Sequence, residues 1–148
     1  MFVTNHVLAG ALIGRAMARH PVGAFAAGVV SHLAMDACPH WGDDRFKDDS
    51  EAFLRVARCD GCCGLAAMAL GAGLAPKASR RAVVAGMAGA AIVDADKPCD
   101  YFFGWNPFPE RWNAFHKRLQ NEAPHRLPYE LVTAAALAAL AMVLSRYS

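Results

Sequence analysis

Apolar, Ala- and Gly-rich stretches of about 15 residues, each closed by proline or by a few charges, restrict this fold more than any other feature of the chain. The first, Val7 to Met17, is interrupted by Arg15 and ends at Arg19, His20 and Pro21, with Thr4 or Asn5 placed to cap it. A second, from Val22 to about Cys38, is nearly uncharged, and Pro39 disfavours helical geometry at the residue before it. The acidic segment from Trp41 to Glu51 is expected to be a surface loop. Ser50 would then cap a helix running through Phe53, Leu54 and Val56 to Leu74, where Pro76 stops it. Ala82 to Val93 forms a fourth stretch. Tyr101 to Pro109 is expected to be an ordered aromatic loop, followed by a short amphipathic helix from about Glu110 to Asn121. Pro128 then opens a last helix, Tyr129 to Ser145.

Alanine dominates the apolar class, and it is the best helix former while being poor strand material. The expected fold is therefore all-α: one domain over residues 1–148, an up-and-down bundle of about five main helices. With 55% hydrophobic and 19% charged residues, a disordered chain is excluded. A formal net charge of +2 offers no excess suited to coating nucleic acid, so none is expected as a stable partner. No Lys or Arg precedes the first apolar stretch, so the N-terminus does not resemble a cleaved secretory signal and is expected to be retained. The mean hydropathy of +0.20 is high for a soluble enzyme and low for a transporter. Most of the stretches fall short of the roughly 20 residues that cross a bilayer unaided, so they are either core helices or short spans.

An up-and-down order brings the polar residues of the apolar helices to one end. His6 starts the first helix; His32, Asp36 and His40 end the second; Asp60 lies early in the third; Asp94 and Asp96 end the fourth. The connection before the last helix adds Asp100, His116, Gln120 and Glu122. The opposite end collects Arg15, Arg19, Lys77, Arg80 and Arg81. His32 and Asp36, four residues apart, share a helical face at a separation one divalent ion can bridge. An apolar helix has little reason to carry both unless they are paired with each other or coordinated.

A rival constellation is Cys59-Asp60-Gly61-Cys62-Cys63, whose Cys-x-x-Cys suits dithiol exchange or zinc. No strand and helix alternation surrounds it, and a second such pair is missing. Small helix-compatible packing is the plainer reading. The five cysteines, an odd number, do not form a conventional disulfide framework.

Four blocks carry a family resemblance. They are Thr4-Asn5-His6 with Gly10 and Gly14, Ser31-His32 through Asp36 to Pro39-His40, Gly86-x-x-Gly89 running into Asp94-Ala95-Asp96, and Phe115-His116 through Gln120 to Glu122. Together they resemble the small bacterial membrane-bound metal-dependent hydrolases, which are distantly similar to the zinc-dependent phospholipase C and single-strand nuclease fold. The resemblance implies an all-helical hydrolase whose His, Asp and Glu side chains hold a metal cluster. His32 and Asp36 would be ligands, joined by His6, His40, Asp60, Asp94 and His116. This chain is much shorter than those phospholipases, and Asn5 separates Thr4 from His6 where many relatives have Thr-His directly.

A mixed imidazole and carboxylate set is the chemistry of zinc, or of iron or manganese, with about two or three ions expected in a cluster of this kind. Phosphoester hydrolysis fits such a cluster best. Asp60 or Asp96, if not consumed as a ligand, would take the proton from the attacking water as the catalytic base. The aromatic run Tyr101 to Trp105, with Phe108 and Trp112, points to an interfacial belt admitting a lipid or other amphipathic substrate. If the helices meet a bilayer, the expected placement is a bacterial inner membrane with the basic end cytoplasmic and the metal end outside. Two other readings stand beside this one: a non-catalytic membrane or scaffold protein with a structural metal site or buried polar network, and a thiol redox protein.

Overall fold

Pro21 and Pro39 mark the ends of the second helix as the sequence requires. In the computed structural model, which describes residues 1–42 and 51–145, α1 spans Val3–Ala16 and α2 spans Pro21–Ala37. They are followed by α3 (Glu51–Leu74), α4 (Arg80–Ile92), α5 (Asp96–Phe103), α6 (Glu110–Leu119) and α7 (Leu127–Ser145). The protein is an all-α bundle whose five long members are α1 to α4 and α7. The proposed Ser50 cap and most of the acidic loop lie outside the described residues.

Two expectations need correction. Helix α1 begins at Val3 rather than after Thr4 or Asn5, so both of those residues are helical. The aromatic segment is not a loop throughout: α5 runs to Phe103 and stops at Gly104, whose φ of 69° is left-handed and suits glycine. The sequence reading also missed a small parallel pairing of β1 (Pro39–Trp41) with β2 (Asn121–Ala123), in which His40 lies opposite Glu122.

Helix α4 is the hub, packed along both α1 and α2. Gly10 faces the Gly86 backbone and Gly14 faces Ala82, so α1 and α4 run antiparallel with their backbones in contact. A side chain at Gly89 would collide with the Phe25 backbone. This is why the small residues lie on these faces: the approach leaves no room for a Cβ. Gly73, by contrast, faces open space. A small apolar core of Val7, Val83 and Met87 fills the gap between α1, α3 and α4.

The basic end is as expected. Arg80 donates to the Gly73 and Ala75 carbonyls and closes the end of α3, while Arg15 donates to the Leu144 carbonyl near the end of α7. Helix α7 rests on α1 and, near its start, on β1, and much of its remaining surface is open, with Leu131 63%, Val132 68% and Met142 61% exposed. Among the described residues, one segment, Pro124–Leu144, is long and apolar enough to cross a membrane.

Candidate metal centre

The first turn of α1, the last two turns of α2, the turn after α4 and the last turn of α6 meet at the opposite end. They bring His6, His32, Asp36, Asp94 and His116 together, all buried. Asp36 is the centre. Its Oδ2 lies 2.8 Å from His116 Nε2 and 3.1 Å from His32 Nε2. Its Oδ1 lies 3.1 Å from His6 Nε2 and accepts from the Met1 α-amine at 2.8 Å. The His6 ring stacks on that of His32 at 3.7 Å, and Asp94 Oδ1 is 3.8 Å from His32 Nε2.

Proton accounting tests whether a cation fits. His32 Nδ1 lies 2.7 Å from the Ala90 carbonyl, which can only accept, so the Nδ1 proton is fixed there. In the neutral ring, Nε2 is then a bare lone pair. It sits 3.1 Å from a carboxylate oxygen and 3.3 Å from His116 Nε2. Protonating His116 at Nε2 satisfies its own bond to Asp36 but leaves His32 and Asp36 as two acceptors face to face. A buried imidazolium or a cation between them resolves this, and the donor set suits a divalent ion. Among the described residues, two groups meet the spacing of ligands to one ion, each with its donor atoms within 4.8 Å of one another: His32, Asp36 and His116, and His6, His32 and Asp94.

The electrostatics agree. Burial, with the neighbouring His32, lowers the His6 pKa from 6.5 to about 4 despite its bond to Asp36, so the ring is neutral and able to ligate. Burial works against ionised Asp36, yet hydrogen bonds from His116 and His6, with the Met1 α-ammonium beside them, hold its carboxyl well below the usual range. Burial opposes ionised Asp94 as well, but the Lys97 ammonium, 2.7 Å from Asp94 Oδ1, outweighs it.

The remaining expected ligands divide. Asp60 is a correction: it stands apart from both groups, because its carboxylate is consumed at the start of α1. It accepts from the Val3 and Thr4 amides at 2.7 and 3.2 Å and from Thr4 Oγ1 at 2.6 Å, capping from α3 a helix whose own cap position, Phe2, has no capping side chain. Burial raises its pKa against these bonds. A side chain so occupied suits neither ligation nor proton transfer. His40 is fully buried but belongs to neither group; its Nδ1–H donates to the Cys38 carbonyl and its Nε2 lies 3.5 Å from Glu122. This contact with His40 leads in holding the Glu122 carboxyl below its ordinary pKa. Asp96 is also outside the groups, but its buried Oδ1 has no hydrogen-bond partner among the described residues and the residue lines the adjoining cavity.

That cavity, about 1290 Å³, opens between α3 and the α4 to α6 segment. Its wall includes Asp94, Asp96 and His116 together with apolar residues such as Leu65, Met68 and Ile92. Cys59, Cys62 and Cys63 are exposed on α3 rather than packed in the core, and all five cysteines are free thiols.

Two residues escaped the sequence reading. Glu130, 1% exposed, accepts from the Phe2 and Trp41 amides and from Asn5 Nδ2, tying α7 to the start of α1 and to β1. It is the lone acid within an apolar helix, and the argument applied to His32 and Asp36 would have found it. Lys97 gave no such signal, because one lysine beside two aspartates reads as a solvated terminus.

Comparison with protein-family models, with curated proteins and with solved structures finds no match for this chain.

Proposed function

We propose that this protein is a metal-dependent hydrolase of phosphoesters, working through a divalent cation held by His32, Asp36 and His116, with His6 and Asp94 as the second ligand group. One observation carries the reading: with Nδ1–H of His32 on the Ala90 carbonyl, Nε2 of the neutral ring faces Asp36 and His116 with no hydrogen-bonding arrangement of neutral rings that satisfies all three. Zinc fits the donor set, with iron and manganese as the alternatives.

Bound there, a divalent cation polarises a phosphoryl oxygen and lowers the pKa of the attacking water. Asp96, with its unpartnered oxygen at the cavity, is the base that takes the proton. The apolar residues in the cavity wall, Leu65, Met68 and Ile92 among them, support a substrate with a hydrocarbon portion, a lipid or similar amphiphile. Helix α7, apolar on nearly every side and largely exposed beyond its contacts with α1 and β1, supports attachment to a membrane. The basic end would then lie on the cytoplasmic side of a bacterial inner membrane, with the site outside.

The test is elemental analysis of protein purified without chelator, paired with hydrolysis of a chromogenic phosphodiester in mixed micelles. Stoichiometric metal and turnover that a chelator abolishes are expected; a folded protein that holds no divalent ion overturns the proposal. A second reading, a metal-free polar network, is favoured by the Lys97 ammonium already on Asp94, and the same metal analysis separates the two. Thiol redox chemistry at Cys59 and Cys62 predicts instead that alkylation abolishes activity while chelation does not.

A further inference from the structure

Asp94 Oδ1 has two suitors. It is the atom that lies 3.8 Å from His32 Nε2, inside the second ligand group, and it is also the atom that accepts from Lys97 Nζ at 2.7 Å. One carboxylate oxygen cannot serve an ammonium and a divalent ion at full strength, because the two cations repel across it. Lys97 is three residues on, in the first turn of α5, and its side chain is 39% exposed on the cavity wall, so it has somewhere else to go. Asp36 and Asp96 add to the field that holds the ammonium in its charged form.

We propose that Lys97 is an exchangeable counter-cation: it occupies Asp94 while the site lacks a divalent ion, and on metal loading it swings into the cavity and binds the anionic phosphoryl group of the ligand. This rests on the metal-dependent reading above and adds to it a residue that both sets metal affinity and recognises substrate charge. The alternating roles have a physical basis. A flexible lysine stem carries a point charge over several ångström, and a phosphoryl group arriving at the cluster replaces the carboxylate charge that the ammonium gives up.

The experiment uses the protein in detergent micelles, stripped of metal. Zinc affinity is measured by competition with a chromophoric chelator, and inorganic phosphate affinity is measured on the zinc-loaded form. Lys97→Met is expected to bind zinc roughly three- to tenfold tighter than the parent, since the competitor for Asp94 is gone. Its metal-free form is expected to melt several degrees lower, since Asp94 is left without a counter-cation, and its zinc-loaded form to bind phosphate several-fold more weakly. Lys97→Arg keeps the charge and is expected to stay near the parent in zinc affinity; it also serves if the methionine variant does not fold. Unchanged or weaker zinc binding by folded Lys97→Met, or an arginine variant that gains affinity, overturns the exchange. Unchanged phosphate binding overturns the anion role. If the parent itself binds no zinc, the hydrolase proposal falls first and this one with it; if the parent binds zinc and only the variant comparison fails, the hydrolase proposal stands.

Discussion

His32 gives its Nδ1 proton to the carbonyl of Ala90, and this bond between α2 and α4 decides what the other ring nitrogen does. It fixes the tautomer, aims Nε2 at Asp36, and ties the candidate ligand to the helix that also delivers Asp94. Without either His32 or Asp36 both ligand groups lose a member or their central support. His32→Ala and Asp36→Ala are expected to weaken metal binding by at least about a hundredfold, and elemental analysis reads this directly. Arg80→Ala, at the far end of the bundle, is expected to keep its metal.

Asp60 answers a different question. Its carboxylate satisfies the first amides of α1, the job a capping Ser or Asp would do within the helix. Asp60→Ala is expected to cost about 1–2 kcal/mol in thermal or denaturant unfolding, the usual loss for a removed cap, with metal stoichiometry unchanged. Loss of metal with no loss of stability would return Asp60 to the ligand set.

The contrast between His32 and Asp60 shows what the sequence made legible. Helix order, the all-α class and the polarised ends followed from proline and charge punctuation. The burial and pairing of His32 and Asp36 were legible because two ionisable groups four apart on an apolar helix have little reason to face solvent. Asp60 was misread because a cap supplied from another helix has no local spacing; its partners, Val3 and Thr4, are more than fifty residues away in the chain. Helix α5 was misread because its aromatic and proline content masks a short helix whose left-handed glycine stop lies beyond it. The pairing of His40 with Glu122 was invisible because two three-residue strands from distant parts of the chain leave no periodicity.

Glu130 is expected to be the costliest single carboxylate to remove outside the metal groups. It receives the Phe2 and Trp41 amides and the Asn5 side chain while itself almost fully buried, so Glu130→Ala removes three accepted hydrogen bonds at once. A loss of about 3 kcal/mol or more is expected from denaturant titration. Because Asn5 adjoins His6, metal affinity should fall with it, whereas Glu130→Gln, which keeps the shape and part of the accepting capacity, should recover some of both.

Backbone contact at the hub sets a sharp test of the packing. Gly89→Ala puts a methyl group into the Phe25 backbone, and neither helix can yield without disturbing Ala90 and its bond to His32. Destabilisation of about 3 kcal/mol or more is expected, since overpacking here meets main chain rather than a flexible side chain. Gly73→Ala, exposed in α3 with nothing near its Cβ, should instead be neutral or stabilise by up to about 1 kcal/mol through helix propensity.

Protons should act on this protein in two separated windows. His6 has a folded-state pKa of about 4 against an ordinary 6.5, the mark of a ring buried in its neutral form. Between those values the unfolded chain binds a proton that the folded chain refuses, so stability rises with pH there. The contribution is complete above 6.5 and is lost as pH falls towards 4. Asp36 and Asp94, whose carboxyls are held below the usual range, contribute stability above their unfolded pKa values and lose it only in stronger acid. Denaturant midpoints of the metal-free protein between about pH 7.5 and 4 should therefore decline in the parent. In His6→Gln this decline should be shallower while the steeper acid limb remains. A variant with the parent's full decline over that interval would mean that another group, not the buried His6 ring, takes up the proton.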